Sequence, residues 1–310
     1  MDKIAIIGAG FIGRAWAIVF ARAGFAVQVW DPVVAATGAA RGFIAERLPE
    51  LHQLGLLADP PEQVLARISP MATLEAALDG VLHAQESGPE VVETKQALFA
   101  RMDAIAAPGT VLASSTSGIP ASAFTEGLKG AARCLVAHPV NPPYLVPVVE
   151  LCPSPWTGDA VLAQSRALMQ RAGMMPATVK REIAGFVLNR LQIALVSEAF
   201  RLVADNVISV EDLDATVKHG LGLRWSFMGP FETIDLNAPG GVADYVKRYG
   251  ALYEQVQNEQ NTIVLTDEIV QDIEAARRKQ LPEARLPVRG AWRDRRLMAL
   301  LAHKKAQPDS

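Results

Sequence analysis

The run Gly8-Ala9-Gly10-Phe11-Ile12-Gly13 is the strongest constraint in the chain. Before it stands Lys3 to Ile7, a short apolar run suited to a buried parallel strand. After it, Arg14 to Ala23 reads as a helix stopped by Gly24, and Ala26 to Trp30 as a second apolar strand ending in Asp31 and Pro32. Strand, turn, helix and strand within about 30 residues make a βαβ unit. In such a unit Gly8 permits the tight turn, Gly10 lets the backbone approach a pyrophosphate, and Gly13 lets helix and strand pack closely. Free N–H groups at the helix start then meet the phosphate charge. Asp31 stands close to the roughly 20 residues past the last glycine expected of the acid that binds the ribose hydroxyls. Its carboxylate repels a 2′-phosphate, and the next basic residue along the chain is Arg41. NAD is therefore expected rather than NADP, with FAD the lesser alternative. Gly8, Gly10, Phe11, Ile12, Gly13 and Asp31 are its candidate binding residues.

The alternation continues downstream. Strands are expected at Val81–Gln85, Thr110–Ser114, Cys134–Ala137, Val148–Cys152 and Ala177–Val179, with helices at 34–57, 90–105 and 157–172. After about Glu182 only helical patterns remain, at 185–205, 210–219, 241–258, 266–279 and 291–304. The expected fold is α/β: a Rossmann-type, doubly wound, mostly parallel sheet over residues 1–184, then a smaller all-helical domain over 185–310.

The 310 residues carry 30 Lys+Arg against 33 Asp+Glu, a net charge of −3, which excludes a generally basic nucleic-acid binder or a polybasic membrane binder. No apolar run approaches the ~18–20 residues of a membrane helix. Gly8, Gly10 and Gly13 interrupt anything resembling a secretory h-region. The two cysteines, Cys134 and Cys152, lie in apolar strand-like stretches and are expected as reduced core thiols of a cytoplasmic protein. No CxxC or HExxH spacing suggests a metal site.

Four residues beyond the βαβ unit carry chemistry. His138 directly follows a strand whose carboxyl end faces the ligand crevice, where an imidazole can take a hydroxyl proton near neutral pH. Glu150 interrupts the apolar run Val148–Cys152 and is costly there unless paired, as with a nearby imidazole. Ser117 follows another strand and can either bind a substrate oxygen or cap a helix. Asn189 heads a stripe with Ile193, Val196 and Phe200, so its amide needs a buried partner or faces a site.

With these blocks in order, the chain resembles the NAD-dependent L-3-hydroxyacyl-CoA dehydrogenase family over roughly residues 1–300. The resemblance rests on Gly8 to Ala17, Ser114 to Ser117, Ala137 to Pro143, Gly185 to Gln192 and Gly229 to Thr233. It implies a catalytic histidine at His138, its paired glutamate at Glu150, and a serine and asparagine on the reacting oxygen at Ser117 and Asn189. It also implies cofactor contacts at Glu90 and Lys95, and a homodimer. An almost wholly apolar helix at 185–205, too large for a short helical domain to cover, suggests that dimer independently.

Two departures set the chain apart from the acyl-CoA enzymes. Gly220 to Pro230 is longer than their turn and carries Arg224, a guanidinium suited to clamping a carboxylate or to a surface or inter-subunit ion pair. His138 is followed by Pro139-Val140 rather than by aromatic residues. Both resemble the branch of the family acting on free 3-hydroxy acids of the L-gulonate type. The expectation is an NAD-dependent oxidation of the 3-hydroxyl of such an acid. An acyl-CoA substrate, a carnitine-like substrate and a non-catalytic dinucleotide-binding protein are the alternatives.

Overall fold

The apolar runs fold as strands buried on both faces, as a parallel sheet covered by helices requires. The structure, a computed structural model, describes residues 1–307. Its first half runs β1 Lys3–Ile7, α1 Phe11–Arg22, β2 Ala26–Trp30, α2 Val34–Gln53, α3 Pro61–Ala66, β3 Ile68–Pro70, α4 Leu74–Leu78, β4 His83–Glu86, α5 Val92–Ile105 and β5 Val111–Ser114. It continues with α6 Ser122–Thr125, β6 Cys134–Pro139, β7 Val148–Pro153, α7 Asp159–Arg171, β8 Met175–Thr178 and α8 Leu188–Ala204. The eight strands form one sheet in the order β3-β2-β1-β4-β5-β6-β7-β8. Every pairing is parallel except β6 with β7. The chain order reverses between β1 and β4, the switch point beyond which an open α/β sheet binds its ligand. Side chains alternate between two cores. Ile4 and Ile6 pack with Trp16 and Phe20 on one face, and Ala5 and Ile7 pack with Phe99 and Met102 on the other.

The remaining helices are α9 Val210–Thr216, α10 Gly222–Trp225, α11 Pro230–Leu236, α12 Gly241–Glu259, α13 Asp267–Gln280 and α14 Leu286–Lys305, with a π-turn at Val217–Leu221. A doubly wound, mostly parallel sheet followed by a helical region is therefore the architecture. The division of the chain differs from the expected break at 184/185. Met1–Arg190 forms one compact unit together with the C-terminal stretch from Gly290, and Leu191–Arg289 forms the other. The C-terminal stretch belongs to the sheet unit because Met298 is fully buried in its core, flanked by Leu297 and Leu301. Within Leu191–Arg289, Leu191, Phe227, Phe231 and Val264 stand well exposed. No described helix is long and apolar enough to cross a membrane.

Between Pro61 and Leu78 the sequence shows no periodic pattern, and the structure holds α3, the edge strand β3 and α4 there. In β3 only Ile68 is buried. Three residues with one apolar anchor leave no alternation to read.

Candidate active site

At the switch point the glycines do what their spacing requires. Gly8 has φ +103°, and a Cβ there would meet the Ser87 carbonyl oxygen at 2.7 Å. A Cβ on Gly13 would collide with the Gly8 carbonyl. A Cβ on Gly10 would meet nothing within 4 Å, so open space lies over this turn. The crevice beside it has a volume of about 820 Å³ and is lined by Gly8, Gly10, Trp30, Asp31, Ser87 and Leu98 among others. Phe11 is exposed at the start of α1, while Ile12 packs against the core. The Asp31 carboxylate accepts from Ala9 N–H at 2.7 Å and Val33 N–H at 2.8 Å. It braces the glycine turn as well as facing the crevice. Open space over Gly10, the free N–H groups at the start of α1 and an acid at the end of β2 fit NAD.

Glu90 and Lys95, expected as cofactor contacts, are both bonded within the protein. Lys95 is only 1% exposed, and its Nζ is held by both oxygens of Glu86 at 3.0 and 2.9 Å. It completes a buried ion pair. Glu90 approaches Lys95 at 3.8 Å with one oxygen. Its other oxygen accepts from Thr116 Oγ1 at 2.5 Å and from the Ser117 and Gly118 amides at 2.9 and 3.1 Å. Glu90 thus shapes the loop that carries Ser117. Glu86, at the end of β4, is the residue missed in the sequence. It also accepts from Ser114 Oγ at 2.5 Å and Gly88 N–H at 2.6 Å. An acid closing a buried strand is costly unless paired, and here Lys95, Ser114 and Gly88 supply the partners.

His138 and Glu150 are cross-strand partners in the antiparallel β6–β7 register. His138 Nδ1 lies 2.8 Å from Glu150 Oε2, and both side chains are nearly buried. The other oxygen, Oε1, accepts from the Val187 and Leu188 amides, each at 2.9 Å. Glu150 therefore caps the N-terminus of α8 and holds the imidazole with the same carboxylate. Burial pushes the Glu150 carboxyl up, but the bonds from His138, Leu188 and Val187 outweigh it and hold it below its ordinary value. Phe186, fully buried, sits with its ring centroid 5.5 Å from that of His138. Its φ of +51° is unusual for a bulky residue and marks local strain at this turn.

Asn189, in the first turn of α8, is half-buried and donates through Nδ2 to the Ser117 carbonyl oxygen at 2.7 Å. The structure thus brings His138, Glu150, Ser117 and Asn189 into one bonded framework, with Ser117 exposed. Among the described residues His138 Nε2 has no hydrogen-bond partner. A base held at Nδ1 by a carboxylate, with Nε2 open, can accept a proton from a hydroxyl. Arg224 lies on α10 in the other unit, exposed, with no side-chain hydrogen bond or ion pair among the described residues.

Comparison with known proteins divides the chain near residue 184. The family model for the 3-hydroxyacyl-CoA dehydrogenase NAD binding domain matches residues 3–183, and that for the C-terminal domain matches residues 185–280. A lambda-crystallin homolog from Bos taurus is 41% identical over 310 residues, covering 98% of this chain and 96% of that protein. An L-carnitine dehydrogenase from Streptomyces griseus is 39% identical over 249 residues, covering 80% of this chain and 73% of that one. Among solved structures, the NAD⁺-dependent 5-formyl-3-hydroxy-2-methylpyridine 4-carboxylic acid 5-dehydrogenase is 25% identical with a TM-score of 0.85. It covers 99% of this chain and 100% of its own.

Proposed function

The chain belongs to the 3-hydroxyacyl-CoA dehydrogenase family and is built to bind NAD, and from that premise we propose that it oxidises the 3-hydroxyl of a small free hydroxy acid, of the L-gulonate type, to the 3-keto acid. The observation that carries this reading is the His138–Glu150 pair, buried and bonded at 2.8 Å, with Nε2 open. NAD held beside the glycine turn would supply the hydride acceptor for C3. His138 Nε2 takes the hydroxyl proton. Glu150 fixes the tautomer and stabilises the imidazolium as it forms. Ser117 Oγ donates to the reacting oxygen. Asn189 holds the Ser117 loop through its carbonyl and presents the rest of its amide to the same oxygen. The intact dyad speaks against a purely structural, non-catalytic protein.

Two considerations support a free acid over an acyl-CoA. Arg224 is a guanidinium without a protein partner among the described residues, and a carboxylate is its best bidentate match. The L-carnitine and pyridine carboxylic acid dehydrogenases also take names from substrates bearing a free carboxylate. A carnitine-like substrate is the second reading, favoured by the 39% identity to the carnitine enzyme. The test is a panel of L-gulonate, L-carnitine and acetoacetyl-CoA followed by NADH absorbance. The free acids should turn over with kcat/KM above that of the thioester. A preference for acetoacetyl-CoA would overturn the reading.

We also assign the Leu191–Arg289 unit to substrate binding and to a homodimer interface. The exposed Leu191, Ile193 and Val196 of α8 and Leu252 of α12 are the apolar surface that a second copy would cover. Light scattering at micromolar concentration should give twice the monomer mass. Cytoplasmic residence is proposed on the two unpaired thiols, Cys134 and Cys152, both buried; burial pushes Cys134 up to about 12.

A further inference from the structure

A polar chain runs through the sheet core beneath the cofactor crevice. Gln85, fully buried on β4, places Nε2 at 3.1 Å from the Ala137 carbonyl oxygen and 2.7 Å from Ser115 Oγ. Only the NH₂ end of an amide can face a carbonyl, so the Gln85 orientation is fixed. Its Oε1 then faces His83 Nε2 at 3.0 Å, and that nitrogen carries the proton. His83 Nδ1 is left as a bare acceptor, and it has no partner. Burial pushes the imidazole down to about 4, so it is neutral at working pH.

The polarity propagates from there. Ser115 Oγ receives N–H donors from Gln85 and from Trp16 Nε1, the latter at 3.1 Å. A hydroxyl has two lone pairs and one proton. Both lone pairs are taken, so the Ser115 proton goes to its remaining neighbour, Ser87 Oγ, at 3.0 Å. Ser87 is then an acceptor toward the protein, and its own proton has no acceptor among the described residues. Ser87 follows β4, lines the crevice, and its carbonyl oxygen packs beneath Gly8.

We propose that Ser87 is a cofactor-binding residue whose hydroxyl is set by the His83–Gln85–Ser115 chain to donate to an acceptor oxygen of the dinucleotide bound beside the glycine turn. The inference rests on NAD binding in this crevice and is independent of which hydroxy acid is oxidised. The test is NADH fluorescence titration of the full chain, with thermal melting to verify the fold. Ser87→Ala should raise the NADH Kd by about threefold to tenfold, the loss of one neutral hydrogen bond. Ser87→Thr, which keeps the hydroxyl, should stay within about twofold of the parent. A wild-type Kd in Ser87→Ala overturns the proposal, and so does an equal loss in Ser87→Thr. Failure of the unsubstituted protein to bind NADH would overturn the cofactor reading along with it.

Discussion

Replacing Glu150 by Gln separates electrostatics from shape at the proposed base. The carboxylate accepts three hydrogen bonds: one from His138 and two from the Val187 and Leu188 amides. A glutamine of the same size has one acceptor oxygen and one NH₂ group. Two backbone donors converge on Oε1, so the amide oxygen turns toward them. The NH₂ group is then aimed at His138 Nδ1, which has to become an acceptor. That forces the proton onto Nε2, the nitrogen assigned to take the substrate's proton. Carboxylate-to-amide replacement behind a catalytic histidine lowers kcat by on the order of 10⁴ in a serine protease through the same tautomer reversal. Here kcat should fall by roughly 10³ to 10⁴. Stability should fall by about 1–3 kcal/mol, since one charge-assisted bond is lost and the amide bonds are weakened. Steady-state oxidation of the preferred hydroxy acid gives kcat across pH, and fluorescence titration gives the NADH Kd, which should stay close to wild type. A Glu150→Gln enzyme within tenfold of the parent kcat would refute the tautomer argument, and with it the role of His138 as base.

Asp31→Ala should narrow the preference for NADH over NADPH without reversing it, because no basic residue replaces the acid. It should also weaken NADH itself, since the Ala9 amide loses its acceptor; equal titration curves before and after substitution would contradict both points. His83 makes stability depend on pH. Its ordinary value is 6.5 and burial lowers it to about 4, so between these the unfolded chain binds the extra proton and stability drops as pH falls, by about 3 kcal/mol in all. Melting at pH 7 and pH 4.5 should show that slope reduced in His83→Gln, and an unaltered slope would assign it elsewhere. Lys95→Met leaves Glu86 buried without its cation and should cost about 3–5 kcal/mol, read as a lowered melting temperature; a shift of a degree or less would show the pair to be dispensable. Arg224→Met should raise KM for the free acid and lower kcat/KM roughly 10- to 150-fold for a bidentate pair worth about 1.5–3 kcal/mol. An unchanged KM with a weakened dimer would make Arg224 an interface residue instead.

The parts legible in the sequence were those where one physical rule acts locally. Glycines at three fixed offsets between two apolar runs allow one turn, and the crevice at the β1–β4 switch point follows from it. Glu150 stood out because a carboxylate in an apolar strand needs a partner, and His138 is that partner. The same rule applies to Glu86, which closes the strand His83–Glu86. It was hidden because that strand carries three other polar or small residues, so no apolar background set the acid off. Lys95 shows a related limit. It entered only through the family resemblance, and its pairing with the Glu86 carboxylate is visible only in the tertiary structure. The return of the C-terminal stretch to the sheet unit has no local signature either. Met298 is an ordinary helical apolar residue until the core that receives it is known.

The single antiparallel pairing, β6 with β7, has a consequence for how such a chain can diversify. Base and partner are hung from opposite rungs of one ladder, so their separation is a property of strand register. A slip of one residue in either strand would turn its member of the pair to the other face and part the two. The segment joining the two strands, residues 140–147, does not set that distance. Tyr144 and Leu145 of that segment are buried in the core, so it is anchored by packing, while the proton-accepting pair stays where the ladder puts it. A change in the surrounding loops and helices would then reshape the substrate's surroundings without moving the base from its partner.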